Sequence, residues 1–145
     1  MSMPRRKGGF TLVELAVVVV IIGVLAAFAV PRFFNSIERS KAAEAFNYLA
    51  SVMSSMERYH SRQGTYATDV NDLDIEFPAL EYFTVGTIAV PASESSLETG
   101  WELALTRVGA SAGYGAYTMV FNHDGYDPVT STIDNAISPV QTGSS

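Results

Sequence analysis

Apolar residues crowd the front of the chain. Residues 10–31 form a 22-residue apolar stretch whose only charge is Glu14, and the next charge is Arg32. About 20 such residues in a helix span a bilayer core of roughly 30 Å. The stretch is therefore long enough to cross a membrane. Residues 17–22 are all β-branched, stiff side chains that form helices only fairly well in water. In lipid the backbone must satisfy itself internally, and a single segment does so as a helix. Gly23 adds backbone freedom. Pro31 lacks an N–H and its ring clashes with the carbonyl of Ala27, which predicts a kink.

Behind Arg32 the pattern turns from continuous to periodic. Ala42, Ala45 or Phe46, Leu49, Met53, Met56 and His60 recur in steps of three and four, predicting an amphipathic helix over residues 32–60. Glu38, Arg39, Lys41, Glu44, Glu57 and Arg58 are placed largely on its other faces. Met53 and Met56 read as core packing. Run straight, residues 10–60 would measure about 77 Å at 1.5 Å per residue. Gly64 is the expected left-handed residue after the helix. Residues 61–81 read as an irregular connection with turn formers Asp69, Asn71, Asp72 and Pro78.

Three strands are predicted next, over residues 82–90, 101–108 and 114–122. In the first, Tyr82, Thr84, Ile88 and Val90 alternate with Phe83, Val85 and Ala89. In the second, Trp101, Leu103 and Leu105 alternate with Glu102, Ala104 and Thr106. Short loops between them imply antiparallel pairing. Residues 123–145 read as a turn-rich tail whose last five residues are mobile. The expected fold class is α+β. A long N-terminal helix, half membrane-spanning and half amphipathic, packs on a three- to four-stranded antiparallel sheet.

Charge refines this picture. Arg5, Arg6 and Lys7 precede the apolar stretch, as the positive-inside rule expects of a cytoplasmic end. Residues 1–9 are too short to fold and read as a processing segment. Removing them takes away three bases and no acid, moving the net charge from −6 to −9. Beyond Ser61 the bases are Arg62 and Arg107, against eleven acids. Such a surface disfavours nucleic acid. There are no cysteines, so the last segment must be held by packing, hydrogen bonds or an ion rather than by a disulfide.

An acid inside an apolar span is expensive, about 2.5–3.5 kcal/mol on insertion scales, and calls for a partner. The string Gly9-Phe10-Thr11-Leu12-Val13-Glu14 resembles the N-terminal signal of type IV prepilins and type II secretion pseudopilins. The resemblance implies cleavage after Gly9 by a membrane-embedded prepilin peptidase, and N-methylation of Phe10 by the same enzyme. It makes Glu14 the residue that pairs subunits during assembly, with the Phe10 amine as partner. Gly23 and Pro31 fall on the family's helix-loosening positions. An inner-membrane assembly platform and a separate ATPase are the implied machinery, and a homo-oligomeric helical filament the product. The implied layout is a leader (1–9), a transmembrane assembly helix (10–31) and a globular domain (32–145). The precursor would sit in the inner membrane, single-pass with its N-terminus cytoplasmic, in contact with lipid. Assembly would carry it into an extracellular pilus or a periplasmic pseudopilus.

Between those two filaments, Thr65-Tyr66-Ala67-Thr68 lacks the proline of the Tyr-Pro-Thr-Thr string of major pseudopilins, which favours a pilin. The missing cysteines pull the other way. A second alternative is an ordinary secretory signal cut at Ala27-Phe28-Ala29, releasing a soluble binding domain. A third is a single-pass membrane protein with a receptor domain. Arg5-Arg6 also imitates part of a twin-arginine signal. No nucleophile elbow, phosphate loop, zinc spacing or framed carboxylate pair is present, so no enzyme is expected, and His60 and His123 read as structural or exposed. No cofactor is expected apart from one candidate ion. Asp124, Asp127 and Asp134, near Asn122, are candidate calcium ligands, since calcium takes six to eight oxygens; turn chemistry accounts for the same residues.

Overall fold

The computed structural model describes residues 8–109 and 113–140. Arg5, Arg6, Lys7 and residues 141–145 lie outside the described residues. The chain divides into two compact units, Met1–Phe34 and Asn35–Ser145. One helix, α1 (Leu12–Gln63), supplies elements to both.

In the first unit every described residue is exposed, from Gly8 to Phe34. A helix that is apolar all round belongs in a membrane or in the core of a larger assembly. α1 is long and apolar enough to cross a membrane by length and composition. The helix continues through Gly23 and Pro31.

In the second unit α1 shows one buried stripe. Glu38, Ala42, Ala45, Leu49, Val52 and Met56 are buried, in steps of four and three. Two expectations change here. Val52, rather than Met53, continues the stripe after Leu49, and Met53 lies partly buried at its flank. Glu38 sits on the core stripe, not on an outer face. The helix ends three residues later than expected. Gly64 closes it at φ +76°, its N–H donating to the His60 carbonyl at 2.8 Å.

The sheet is a four-stranded antiparallel meander, β1 (Phe83–Val85), β2 (Glu102–Arg107), β3 (Thr118–Asn122) and β4 (Gly125–Tyr126), in that spatial order. Its inner face carries Leu103 and Leu105 from β2 and Met119 and Phe121 from β3, all buried in one cluster with the helix stripe. Phe46 of α1 meets Phe121 edge-on at 4.9 Å between ring centres. The alternation read for β2 holds, with Trp101 buried beside it.

β1 is shorter than predicted because the strand bulges. The Gly86 N–H donates to the Ala104 carbonyl, while Ala89 pairs with Glu102. Three steps on one side match two on the other, so one extra residue is inserted. A side chain at Gly86 would place its Cβ 2.8 Å from the Ala104 oxygen, so the close approach needs glycine. The bulge inverts the alternation behind it. Ile88 therefore joins Phe83 and Val85 against the core, whereas Thr84 is exposed.

Residues 123–140 are structured, not a tail. A two-residue turn at His123-Asp124 brings β4 back along β3. The chain then runs beside β3. Thr132 N donates to Thr118 O (3.0 Å), and Thr118 N to Thr132 Oγ1 (2.8 Å). Val120 N donates to Ser131 Oγ (2.9 Å). Ile137 enters the core fully buried. Hydrogen bonds and packing thus hold the segment in a chain without disulfides. The loop 61–81 is anchored in the same way, with Tyr66, Ala67 and Leu73 buried and a short helical turn at Val70–Asp72.

Both apolar stripes end in a charge. Arg107 follows Leu103 and Leu105 on the inner face of β2, and Glu38 precedes Ala42 on α1. Arg107 Nε donates to Glu38 Oε1 at 2.6 Å and Nη2 to Oε2 at 3.3 Å. Tyr117 Oη donates to Glu38 Oε1 at 2.9 Å. Arg107 Nη1 donates to the carbonyls of Tyr82 and Val108. Lys41 Nζ lies 3.7 Å from Glu38 Oε2. Burial pushes the Glu38 carboxyl up, but the Arg107 and Tyr117 hydrogen bonds outweigh it and hold the group below its ordinary value. Burial and the bond to Glu38 raise the Tyr117 hydroxyl.

Arg107→Met should cost about 3–5 kcal/mol in denaturant unfolding of the detergent-solubilised chain, because it strands a buried carboxylate. The double variant Glu38→Leu/Arg107→Met should recover most of that loss, since no charge remains unpaired. The pH dependence has a definite sign. A lowered folded pKa means stability present above the unfolded value of about 4.3 and lost as pH falls through the folded one. Glu38→Gln should therefore flatten the acid limb of the stability curve below about pH 4.3.

Candidate functional site

The first unit carries the residues singled out by the sequence. Gly8 and Gly9 are exposed, and a side chain at either would meet nothing within 4 Å. Phe10 is 82% exposed. The backbone between Gly9 and Phe10 is thus open on the approach to the helix.

Thr11 caps that helix. Glu14 N donates to Thr11 Oγ1 at 3.3 Å, and Thr11 N donates back to Glu14 Oε2 at 2.8 Å. Thr11 Oγ1 also donates to Oε2 at 2.9 Å. This is a reciprocal capping box, in which the cap and the third helical residue satisfy each other's backbone N–H groups. The acid also lies where the helix dipole favours negative charge. Reading Glu14 only as a partner for another subunit passes over this local arrangement. The signal was there, since Thr11-Leu12-Val13-Glu14 is the Thr-x-x-Glu pattern ahead of an apolar run.

Both bonds from Thr11 end on Oε2. Among the described residues Oε1 has no partner, so the carboxylate keeps one oxygen to offer a further donor. The donor would have to arrive at the helix start, where residue 10 lies. Gly23 and Pro31 both lie exposed within α1, away from this cap.

The three aspartates read as calcium candidates occupy separate turns. Asp127 accepts from Val129 N at 2.8 Å and Thr130 Oγ1 at 2.8 Å. Asp134 accepts from Ala136 N at 2.7 Å. The Asp124 side chain is 84% exposed, beside His123 Nε2 at 3.5 Å. Among the described residues no three His, Asp or Glu side chains are arranged to hold a metal ion. His60 stacks on Tyr66 at 4.3 Å and meets the Glu98 carbonyl at 3.0 Å.

The architecture is therefore a membrane-length helix, opened by an acid in a capping box, that continues into the core of a small α+β unit. Residues 4–30 match the family profile described as the prokaryotic N-terminal methylation motif, so the chain carries that motif. It is similar to the fimbrial protein EcpC of Eikenella corrodens, 41% identical over 46% of this chain and 44% of that one. It is also similar to the type IV major pilin protein PilA of Myxococcus xanthus, 40% identical over 48% of this chain and 31% of that one. The type II secretion system core protein G of Aeromonas hydrophila is 33% identical over 48% of this chain and 49% of that one. The chain thus spans less than half the length of each of these relatives. A solved type IV pilin from Shewanella oneidensis aligns at TM-score 0.46 and 19% identity, over 67% of this chain and 98% of that one.

Thr11→Ala should weaken the first helical turn by about 1 kcal/mol, the usual cost of losing a threonine cap. Faster amide exchange at Leu12, Val13 and Glu14 in detergent micelles would report it. Thr11→Ser should restore protection, because it keeps the hydroxyl.

Proposed function

We propose that this chain is the structural subunit of a type IV pilus, held in the inner membrane and assembled through its apolar helix. The observation that carries the reading is the open Gly9-Phe10 junction set directly before a capped acid at the mouth of a membrane-length helix. The helix is exposed on all sides through Phe34, as suits a segment that lies in lipid and then among other subunits. The N-terminus is cytoplasmic, with Arg5, Arg6 and Lys7 on that side, and the globular unit lies across the membrane. A prepilin peptidase cuts after Gly9 and methylates Phe10, and an inner-membrane platform receives the product.

The freed Phe10 amine is positive, and Glu14 offers a carboxylate with one oxygen uncommitted. Between subunits, in a water-poor core, each would relieve the other of an unpaired charge. Such a pairing also sets axial register, as a single polar residue does in a coiled coil. The Gly23 to Pro31 region supplies backbone freedom where neighbouring helices must pack.

A type II secretion pseudopilin is the second reading, favoured by the similarity to core protein G. The string Thr65-Tyr66-Ala67-Thr68 favours the pilus. If calcium is bound by Asp124, Asp127 and Asp134, the turns that hold them must rearrange, and added calcium would raise the melting temperature.

N-terminal mass spectrometry should read N-methylated Phe10, and a bulky residue in place of Gly9 should leave the chain uncut. A first residue of Val30 would instead mean an ordinary secretory signal. Glu14→Ala should insert more easily, by about 2.5–3.5 kcal/mol, and still be processed. Its sheared filament protein should nevertheless fall against an unchanged membrane pool. Glu14→Gln keeps the shape without the charge and should share the defect. Normal yield from both would rule out the pairing.

A further inference from the structure

The second unit carries a groove that the N-terminal chemistry does not use. It has a volume of about 320 Å³ and lies between α1 and the loop at residues 75–80. Tyr48 and Phe77 form its floor, with ring centres 5.1 Å apart. Ile75 and Leu80 add apolar walls, and Glu44 and Glu76 bring acid to the lining. The loop is already fixed before anything binds. Asp74, next to Ile75, accepts from Arg58 Nε at 2.8 Å and Nη2 at 2.7 Å, and from the Ser55 hydroxyl. A groove held open in this way costs little ordering on binding.

Its complement is in the same sequence. Arg32, Phe33 and Phe34 follow the apolar stretch, and the two rings are 64% and 44% exposed. They form one apolar patch, with ring centres 6.4 Å apart, beside a guanidinium. Phenylalanine and arginine are both enriched at protein interfaces relative to the rest of the surface.

Resting on the filament reading above, we propose that the groove between α1 and residues 75–80 receives the Arg32-Phe33-Phe34 segment of a second copy of this chain. The rings enter against Tyr48, Ile75 and Phe77, and Arg32 meets Glu44 and Glu76 at the groove. The two surfaces differ, so the contact is head-to-tail and repeats from copy to copy into a filament instead of closing as a dimer.

The chain has no cysteine, so introduced pairs report without background. The variant Phe34→Cys/Ile75→Cys should give an oxidation-dependent ladder of multimers in sheared filaments, and each single variant should give none. Arg32→Glu and Glu76→Arg should each lower filament protein about tenfold, since like charges then face one another. Combined in one chain, they should return it close to the wild-type level. Wild-type filaments with no ladder and no rescue would overturn this interface and leave the filament reading standing. Loss of Arg32→Glu from the membrane pool would overturn it in favour of a lipid-headgroup role for Arg32. A wild-type chain that forms no filaments would overturn the filament reading and the interface together.

Discussion

A carboxylate taken out of water needs a partner, and Glu38 obtains three. Arg107 grips it with two hydrogen bonds, Tyr117 adds a third, and Lys41 stands nearby. Because the fork of Arg107 accepts a carboxylate in one orientation, this contact fixes which turn of α1 faces the end of β2. The apolar stripes of helix and sheet would tolerate a slip past one another far more readily than this pair would. The alignment of Leu49 and Val52 with Leu103 and Leu105 therefore depends on a charge at the end of each stripe.

The acid at the start of the helix is satisfied differently. Glu14 lies in the part of α1 that is exposed on every side, and it turns back to its own helix start. Thr11 offers it a hydroxyl and a backbone N–H. The partial compensation comes from the four-residue run Thr11–Glu14 and needs no tertiary structure. That leaves the acid able to enter a membrane with part of its cost offset, while one oxygen stays free for a partner. Glu38 is committed to the fold through both carboxylate oxygens, whereas Glu14 keeps one oxygen without a partner among the described residues.

The absence of cysteine shapes the far end of the molecule. The segment after β4 has no covalent tie, and Ser131 and Thr132 use hydroxyls and backbone groups to pair along β3. Asp127 and Asp134 stiffen their own turns, and Ile137 anchors the run in the core. The same acids that a sequence reader sets aside for calcium thus have local work as turn acceptors.

Local sequence decides whatever depends on near neighbours along the chain. The membrane-length helix, the Gly64 stop and the alternation of Trp101, Leu103 and Leu105 are all of this kind. The capping box is equally local and is legible in Thr11-Leu12-Val13-Glu14. The tertiary structure decided what depends on distant partners. Whether Glu38 lies inside or outside turns on Arg107, 69 residues away. The face taken by Ile88 turns on one extra residue at Gly86, fixed by the carbonyl of Ala104. The conversion of a turn-rich tail into a structured edge turns on unpaired groups along β3. Local pattern predicts an element through its period, but it cannot name the atoms that the element will meet.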